Sequence, residues 1–467
     1  MPSFRTAVSL FAAAFVLAAG PSVAQERRLP ESRQELKLSF APVVAQTIPA
    51  VVNIYATRKE KLRRNPILDD PFFRQFFGDG GQLPQERVQR SLGSGVIVSG
   101  DGLVITNNHV VEGMTEMRVA LSDKRELPAK LILKDKRTDL AVLRIGEGKE
   151  KFPALTLGDS DALAIGDLVL AVGNPFGVGQ TVTSGIVSAL ARTQNGLGDF
   201  QSFIQTDAAI NPGNSGGALV DLDGKLIGVN TAIFSQTGGS VGIGFAIPAN
   251  MVRVVLSSAA AGSKSVTRPW FGADLQPVTS EIAESMGLKH PGGALVSGVS
   301  RGSPAAKAGV EAGDLVVAVD GKPVDDVEGF AFRFATQPVG GQTTLSIQRQ
   351  GKPISVIVAL AAAPEVPARD QRTIGGESPF TGATVANLSP ALTEEMALKA
   401  DLRGVVVAEI ASGSIAERLG FQKGDIVRQV NDAKVASTRD LERSAAASPG
   451  YWKVTIERDG QLITSVF

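Results

Sequence analysis

The chain of 467 residues contains no cysteine. That excludes disulfides, thiolate metal sites and a thiol nucleophile together. Histidine is nearly absent as well, with only His109 and His290 present. Two distant histidines and no cysteine make a poor ligand set, so neither a metal nor another cofactor is expected. No GxxxxGK[ST] loop occurs, which excludes a built-in P-loop ATPase. Net charge is missing too: 47 basic residues balance 47 acidic ones, and nothing points to a nucleic-acid partner. Aromatic residues make up only 5%, whereas glycine numbers 51, a balance that favours short strands and turns over helical bundles. After the N-terminus no apolar run reads as a membrane helix. The run at the N-terminus, from Ala7 to about Ala19, falls short of the roughly 20 residues that a span needs. Arg5 precedes it and Ser22-Val23-Ala24 follows as a small-x-small site. It reads as an export signal, residues 1–24, removed after Ala24, with a membrane anchor as the alternative.

What is present is organised in blocks, and the length suggests roughly three domains. From Ser91 to about Ile247 the chain alternates short β-rich runs with Gly and Asp-Gly breaks, which predicts an antiparallel sandwich or barrel. Before it lies a charged, Gly/Pro-bearing stretch, Arg58 to Arg90, with Phe72, Phe73, Phe76 and Phe77. A connection of that length inside a domain is usually functional or disordered, and four phenylalanines argue against simple disorder. The C-terminal part repeats itself. "RGSPAAKAGVEAGDLVVAVDGKPV" from Arg301 returns as "SGSIAERLGFQKGDIVRQVNDAKV" from Ser412, at a constant offset of 111 residues. A Pro/Ala-rich linker separates the two copies.

The stretch "NPGNSGG", Asn211 to Gly217, sets the chemical question. A serine hydroxyl needs a positioned base to act as a nucleophile. If Ser215 is histidine-activated, one of the two histidines is that base. His109 ends the alternating strand "GLVITNNHVV", where a site can form, although a buried, hydrogen-bonded histidine is the plainer reading. His290, in "GLKHPGG", reads as an exposed loop residue. Asp139 stands before the apolar run in "RTDLAVLRI"; a carboxylate entering a buried strand needs a donor, and an imidazole N–H is one. A simple turn residue is the other reading, and Asp135 and Asp159 are competitors in polar turns. The glycines around Ser215 allow positive φ and close approach of the backbone. They can aim the Gly213 and Ser215 N–H groups at one point as an oxyanion hole; a plain glycine turn is the alternative. "GNSGG" also satisfies the G-x-S-x-G elbow of α/β-hydrolases. That elbow needs a helix after the serine, whereas "ALVDLDGKLIGV" reads as a hairpin. The order His109, Asp139, Ser215 is instead the chymotrypsin-type order.

"TNNHVV", "TDLAVLRI", "GNPFG", "SGIVSALAR", "FIQTDAAINPGNSGGALVD" and "GIGFAIP" together resemble the HtrA/protease Do family, DegP/DegQ-like, over nearly the whole chain. The resemblance implies a mainly β protein: a chymotrypsin-like double β-barrel protease domain followed by two PDZ domains. The expected boundaries are a protease domain at 25–262 with its Phe-rich loop at 58–90, PDZ domain 1 at 264–362, a linker at 363–376 and PDZ domain 2 at 377–467. It implies His109 as general base, Asp139 as its orienting carboxylate, Ser215 as nucleophile, and Gly213 and Ser215 as oxyanion donors. Thr231 to Val241 resembles the specificity loop. Gly242, Ile243, Gly244, Phe245 and Ala246 resemble an edge that pairs with extended substrate. The Phe-rich loop resembles one that reaches neighbouring subunits, and Arg192 matches a regulatory loop that relays signals from PDZ domain 1.

The implied activity is ATP-independent endoproteolysis of misfolded polypeptides in the periplasm, with cleavage after small aliphatic residues and possible chaperone activity. No acidic residue occurs between Thr231 and Ile247, which argues against a trypsin-like basic pocket. The implied assembly is a homotrimer, with larger cages as a further form. PDZ domains bind extended C-termini at a sheet edge, with backbone amides holding the carboxylate. Trp270, Phe271, Gly272 and Ala273 fit the carboxylate loop in the first repeat, so C-terminal peptides are its expected partners. Phe380, Thr381, Gly382 and Ala383 occupy the same place in the second. Thr381 departs from the pattern there and leaves both a peptide-binding and an assembly reading open.

Overall fold

In the computed structural model the described residues are 39–60, 87–148, 150–174, 179–192, 202–211, 213–233, 240–263, 265–396, 398, 402–447 and 451–467. The expected export signal and the four phenylalanines of the 58–90 loop lie outside them.

Short runs of β-branched and small apolar residues build two closed barrels. In the first, β1 (Val51–Glu60), β2 (Arg87–Ile97), β3 (Leu103–Asn107), β4 (Glu116–Ala120), β5 (Glu126–Asp135) and β6 (Leu140–Ile145) close in the order β1-β2-β3-β6-β5-β4. In the second, β7 (Leu168–Gly173), β8 (Thr181–Arg192), β9 (Phe203–Thr206), β10 (Ala218–Val220), β11 (Leu226–Ile233) and β12 (Gly244–Pro248) close in the order β7-β8-β9-β12-β11-β10. The second barrel thus repeats the connectivity of the first. Its interior is filled by Val169, Ala171, Val187, Ile204, Leu219, Ile227 and Ala246. Full burial of each large aliphatic side chain contributes about 1.5–3 kcal/mol. Helix Ala249–Ala260 buries Met251, Val252, Val255 and Ala259 on one face, the spacing of an amphipathic helix. That face packs on β5 and β6 of one barrel and on β11 and β12 of the other, so the helix clamps the two together.

The repeats fold alike. The first has β13 (Ala273–Pro277), β14 (Ala294–Val299), β15 (Leu315–Val319), β16 (Lys322–Pro323), β17 (Gln342–Arg349) and β18 (Lys352–Ala359), with helix Val327–Ala335. The second has β19 (Arg372–Thr373), β20 (Ala383–Asn387), β21 (Val405–Ile410), β22 (Ile426–Val430), β23 (Ala433–Lys434), β24 (Lys453–Arg458) and β25 (Gln461–Val466), with helix Thr438–Ala446. The strands β21, β22 and β23 and the helix stand at the sequence offset of the repeat from β14, β15, β16 and the first helix. The Asp of each "GD" is buried and held by an arginine through two bonds: Arg349 Nε to Asp314 Oδ1 at 2.6 Å and Nη2 to Oδ2 at 2.8 Å, matched by Arg458 on Asp425 at 2.6 and 2.7 Å. Such forks are strong, charge-assisted bonds. Only the second repeat, among the described residues, has β19, which pairs antiparallel with the outer side of β20. Among the described residues no helix is long and apolar enough to cross a membrane.

Candidate active site

The three residues singled out by the sequence come from both barrels. His109 sits in the short helix Asn108–Val111 directly after β3, Asp139 ends the turn before β6, and Ser215 precedes β10. Asp139 adopts a left-handed conformation with φ of 55°, which aspartate tolerates better than most residues. Two asparagines fix it there. The Asn108 N–H and the Asn107 Nδ2 amide both donate to the Asp139 carbonyl, at 2.9 and 3.0 Å. Its carboxylate is fully engaged: Oδ1 accepts the His109 backbone N–H at 2.9 Å, and Oδ2 accepts His109 Nδ1 at 2.7 Å and the Thr231 hydroxyl at 2.8 Å. An ionised carboxylate only accepts, so Nδ1 carries the proton and Nε2 is left with its lone pair, as a general base requires. The competing carboxylates are otherwise employed. Asp159 caps the turn Ser160–Ala162 by accepting from the Asp161 N–H, and Asp135 pairs with Arg268. His290 lies exposed in its loop.

Ser215 is not joined to His109 by a hydrogen bond. Its Oγ donates to the Thr231 carbonyl at 3.2 Å. Ser94 of β2, a residue that drew no attention in the sequence, holds the loop around it. The Ser94 N–H donates to the Ser215 carbonyl at 2.8 Å, and its hydroxyl donates to the Gly213 carbonyl at 2.6 Å. Ser94 is fully buried. Its sequence signal was faint: a serine between glycines in "SLGSGVIV", where small residues allow two backbones to meet. Gly216 shows why glycine is needed in this loop. Its φ is 84°, and a Cβ there would lie 2.1 Å from the Ser94 carbonyl oxygen. The Gly213 and Ser215 N–H groups find no acceptor among the described residues.

Two readings of the substrate side need correction. Gly244, Phe245 and Ala246 are not an exposed edge: they lie inside the closed barrel, paired with β11 on one side and β9 on the other. Phe245 is buried edge-to-face against Phe203, with centroids 6.0 Å apart. Closure leaves such a strand no free backbone for a peptide. Gly242 and Ile243, before the strand begins, are exposed and half-buried and do not belong to the ladder. Thr231 is buried, and its hydroxyl turns to Asp139 rather than to a substrate subsite. Residues 234–239 of the expected specificity loop and the Arg192 side chain lie outside the described residues. No group of three or more His, Asp or Glu side chains is placed to hold a metal among the described residues.

The expected peptide loops of the repeats differ. In the first, Phe271 packs on Phe330 and Phe334 at 4.9 and 5.2 Å. Gly272 has φ of 71°, and a Cβ there would meet the Ser303 side chain at 2.3 Å. The Phe271 and Gly272 amides have no acceptor among the described residues, and β13 is an open edge of its sheet. In the second repeat the corresponding edge, that of β20, is paired with the preceding chain. Arg369 to Ile374 runs antiparallel along β20 toward the Phe380–Ala383 loop. Ile374 is buried in the core beside Phe380, and its carbonyl accepts the Gly382 N–H at 2.9 Å.

Comparison with known proteins agrees with this architecture. The trypsin-like peptidase domain family matches residues 93–229, and the PDZ domain family matches 295–349 and again 379–465. The periplasmic serine endoprotease DegP of Escherichia coli K12 is 38% identical, with 99% of each chain covered. A probable periplasmic DegP-like serine endoprotease of Chlamydia trachomatis is 39% identical, covering 94% of this chain and 90% of the relative. Among solved structures, the HtrA-type protease AlgW with decapeptide is 46% identical, has a TM-score of 0.53, and covers 70% of this chain and 99% of its own. The chain belongs to the HtrA/DegP family of periplasmic serine endoproteases.

Proposed function

We propose that the protein degrades unfolded or misfolded polypeptides by acyl-enzyme catalysis without ATP. Ser215 is the nucleophile, His109 the general base, Asp139 the residue that orients it, and the Gly213 and Ser215 amides the oxyanion donors. The observation that carries this reading is the Asp139 carboxylate, which takes His109 at both its backbone N–H and its Nδ1. Ser215 at rest donates to Thr231 instead of His109. The serine side chain therefore has to turn from Thr231 toward His109 before reaction, and such loose geometry is common before substrate binds. An extended substrate pairs with the backbone at Gly242 and Ile243, and the absence of acidic residues between Thr231 and Ile247 suits small aliphatic side chains at the cleavage point. The test is digestion of reduced casein without ATP, with the new C-termini mapped by mass spectrometry. Cleavage after Val, Ala or Ile is expected. No cleavage, even with hydrophobic C-terminal peptides added, would favour a chaperone.

Such peptides bind the first repeat, at the open edge of β13 with the Phe271 and Gly272 amides on the terminal carboxylate. The second repeat carries its own occupant, with Ile374 in the place of a terminal side chain. A labelled hydrophobic C-terminal peptide is therefore expected to saturate at one per chain in a calorimetric titration; two per chain would refute the occupied groove. Assembly into a homotrimer or larger cage follows the family pattern and is read directly by light scattering.

A further inference from the structure

The turn that carries Asp139 is tied on its far side to another part of the chain. It runs from Asp135, the last residue of β5, to Leu140, the first of β6. The Asp135 carboxylate accepts the Thr138 hydroxyl and forms an ion pair with the Arg268 guanidinium. Asp135, Thr138 and Arg268 are 7%, 4% and 7% exposed. A buried ion pair needs good geometry to offset desolvation, so this one tolerates little displacement of either partner. Next to it, Arg137 Nη1 donates to the Glu394 carbonyl of the second repeat at 3.2 Å. Arg268 belongs to neither barrel. It stands between helix Ala249–Ala260 and β13, two residues before Trp270. The chain there is pinned onto the first repeat, because Pro269 bridges to Ala362 and the Trp270 N–H donates to the Ala361 carbonyl at 2.8 Å.

We propose that Arg268 is a positioning residue for catalysis: through Asp135 and Thr138 it holds the turn that aims the Asp139 carboxylate at His109. The inference rests on the triad reading given above. Asp139 occupies a left-handed backbone conformation, which persists only where surrounding contacts over-determine it. Asn107 and Asn108 supply those contacts from inside the barrel, and the Arg268–Asp135–Thr138 chain supplies them from outside. Loss of the outer set lets the turn relax, and the imidazole loses its carboxylate partner in part. Arg268 touches neither substrate nor the reacting atoms; it acts on them through three residues in series.

The test uses the full-length mature chain. It compares wild type with Arg268→Lys, Arg268→Ala and the neutral pair Arg268→Gln/Asp135→Asn, with Asp139→Asn as reference. The neutral pair removes both charges of the buried ion pair at once, so it remains available if Arg268→Ala fails to fold. The readouts are kcat and KM on reduced casein, the rate of fluorophosphonate labelling, and the folded fraction of each variant. A displacement near 1 Å can cost about a hundredfold, so a folded neutral-pair variant is expected to lose about ten- to a hundredfold in kcat and labelling rate with little change in KM. Arg268→Lys, which keeps the cation, recovers most of the labelling rate. A folded neutral-pair variant with wild-type kcat and labelling rate overturns the proposal. So does a fall in kcat that only tracks the folded fraction, or one that Arg268→Lys leaves unrecovered. Wild-type labelling by Asp139→Asn would instead overturn the triad reading, and this inference with it.

Discussion

Ser215→Ala is expected to lower kcat/KM on casein by about a millionfold, the loss seen when a serine nucleophile is removed from a cooperating triad. The fold should be unaffected. The Ser215 side chain makes one hydrogen bond, to the Thr231 carbonyl at 3.2 Å, and a net hydrogen bond is worth about 1 kcal/mol. Other bonds that shape the loop do not involve that hydroxyl: the Ser94 N–H on the Ser215 carbonyl, the Ser94 hydroxyl on the Gly213 carbonyl, and the Gly216 N–H on the Asn230 carbonyl at 2.8 Å. None of these is lost with the hydroxyl. The variant should therefore keep its thermal midpoint and its peptide binding while failing to react with a fluorophosphonate probe. A variant that still cleaves would remove Ser215 from the role of nucleophile.

Asp139→Asn is expected to cost about 10⁴ in kcat, as the same change does in a chymotrypsin-type triad. The physical reason is specific to the bonds present. Oδ1 and Oδ2 of Asp139 accept three hydrogens: the His109 N–H, the His109 Nδ1 proton and the Thr231 hydroxyl. An amide has one accepting oxygen. If that oxygen keeps the His109 backbone N–H, the NH₂ faces Nδ1 and forces the proton onto Nε2, the atom that must accept from Ser215. Asparagine is the informative choice because it also tolerates the left-handed backbone of this position, so the bonds from Asn107 and Asn108 to the carbonyl survive. Steady-state kinetics together with labelling rates measure the effect. A loss smaller than tenfold would mean that another group orients His109.

The sequence had already limited the chemistry severely. With no cysteine and two histidines, a histidine-activated serine could have only two bases, and chain order removed the hydrolase-elbow alternative. The mainly β class and the repeat were legible because both are periodic: short apolar runs broken by glycine, and one stretch returning at a fixed offset. Asp139 was less sharply marked. Asp135 lies four residues away in a similar context, and local pattern cannot tell a carboxylate that meets an imidazole from one that meets a guanidinium.

What the sequence determined by itself was composition-limited and local: which residue types were available for catalysis, where strands and turns fall, and that the C-terminal domain occurs twice. Tertiary structure alone decided every relation between distant segments. It brought Ser94 beneath Gly213 and Ser215, turned Thr231 toward Asp139, closed Gly244 to Ala246 into a barrel where the motif suggests an edge, and laid Ile374 against the Phe380–Ala383 loop of its own repeat. It also set Arg268 against Asp135 across 133 residues of chain. The reason is the same in each case. A hydrogen bond or ion pair depends on distance and direction in space, and those are settled only when barrels close and domains pack.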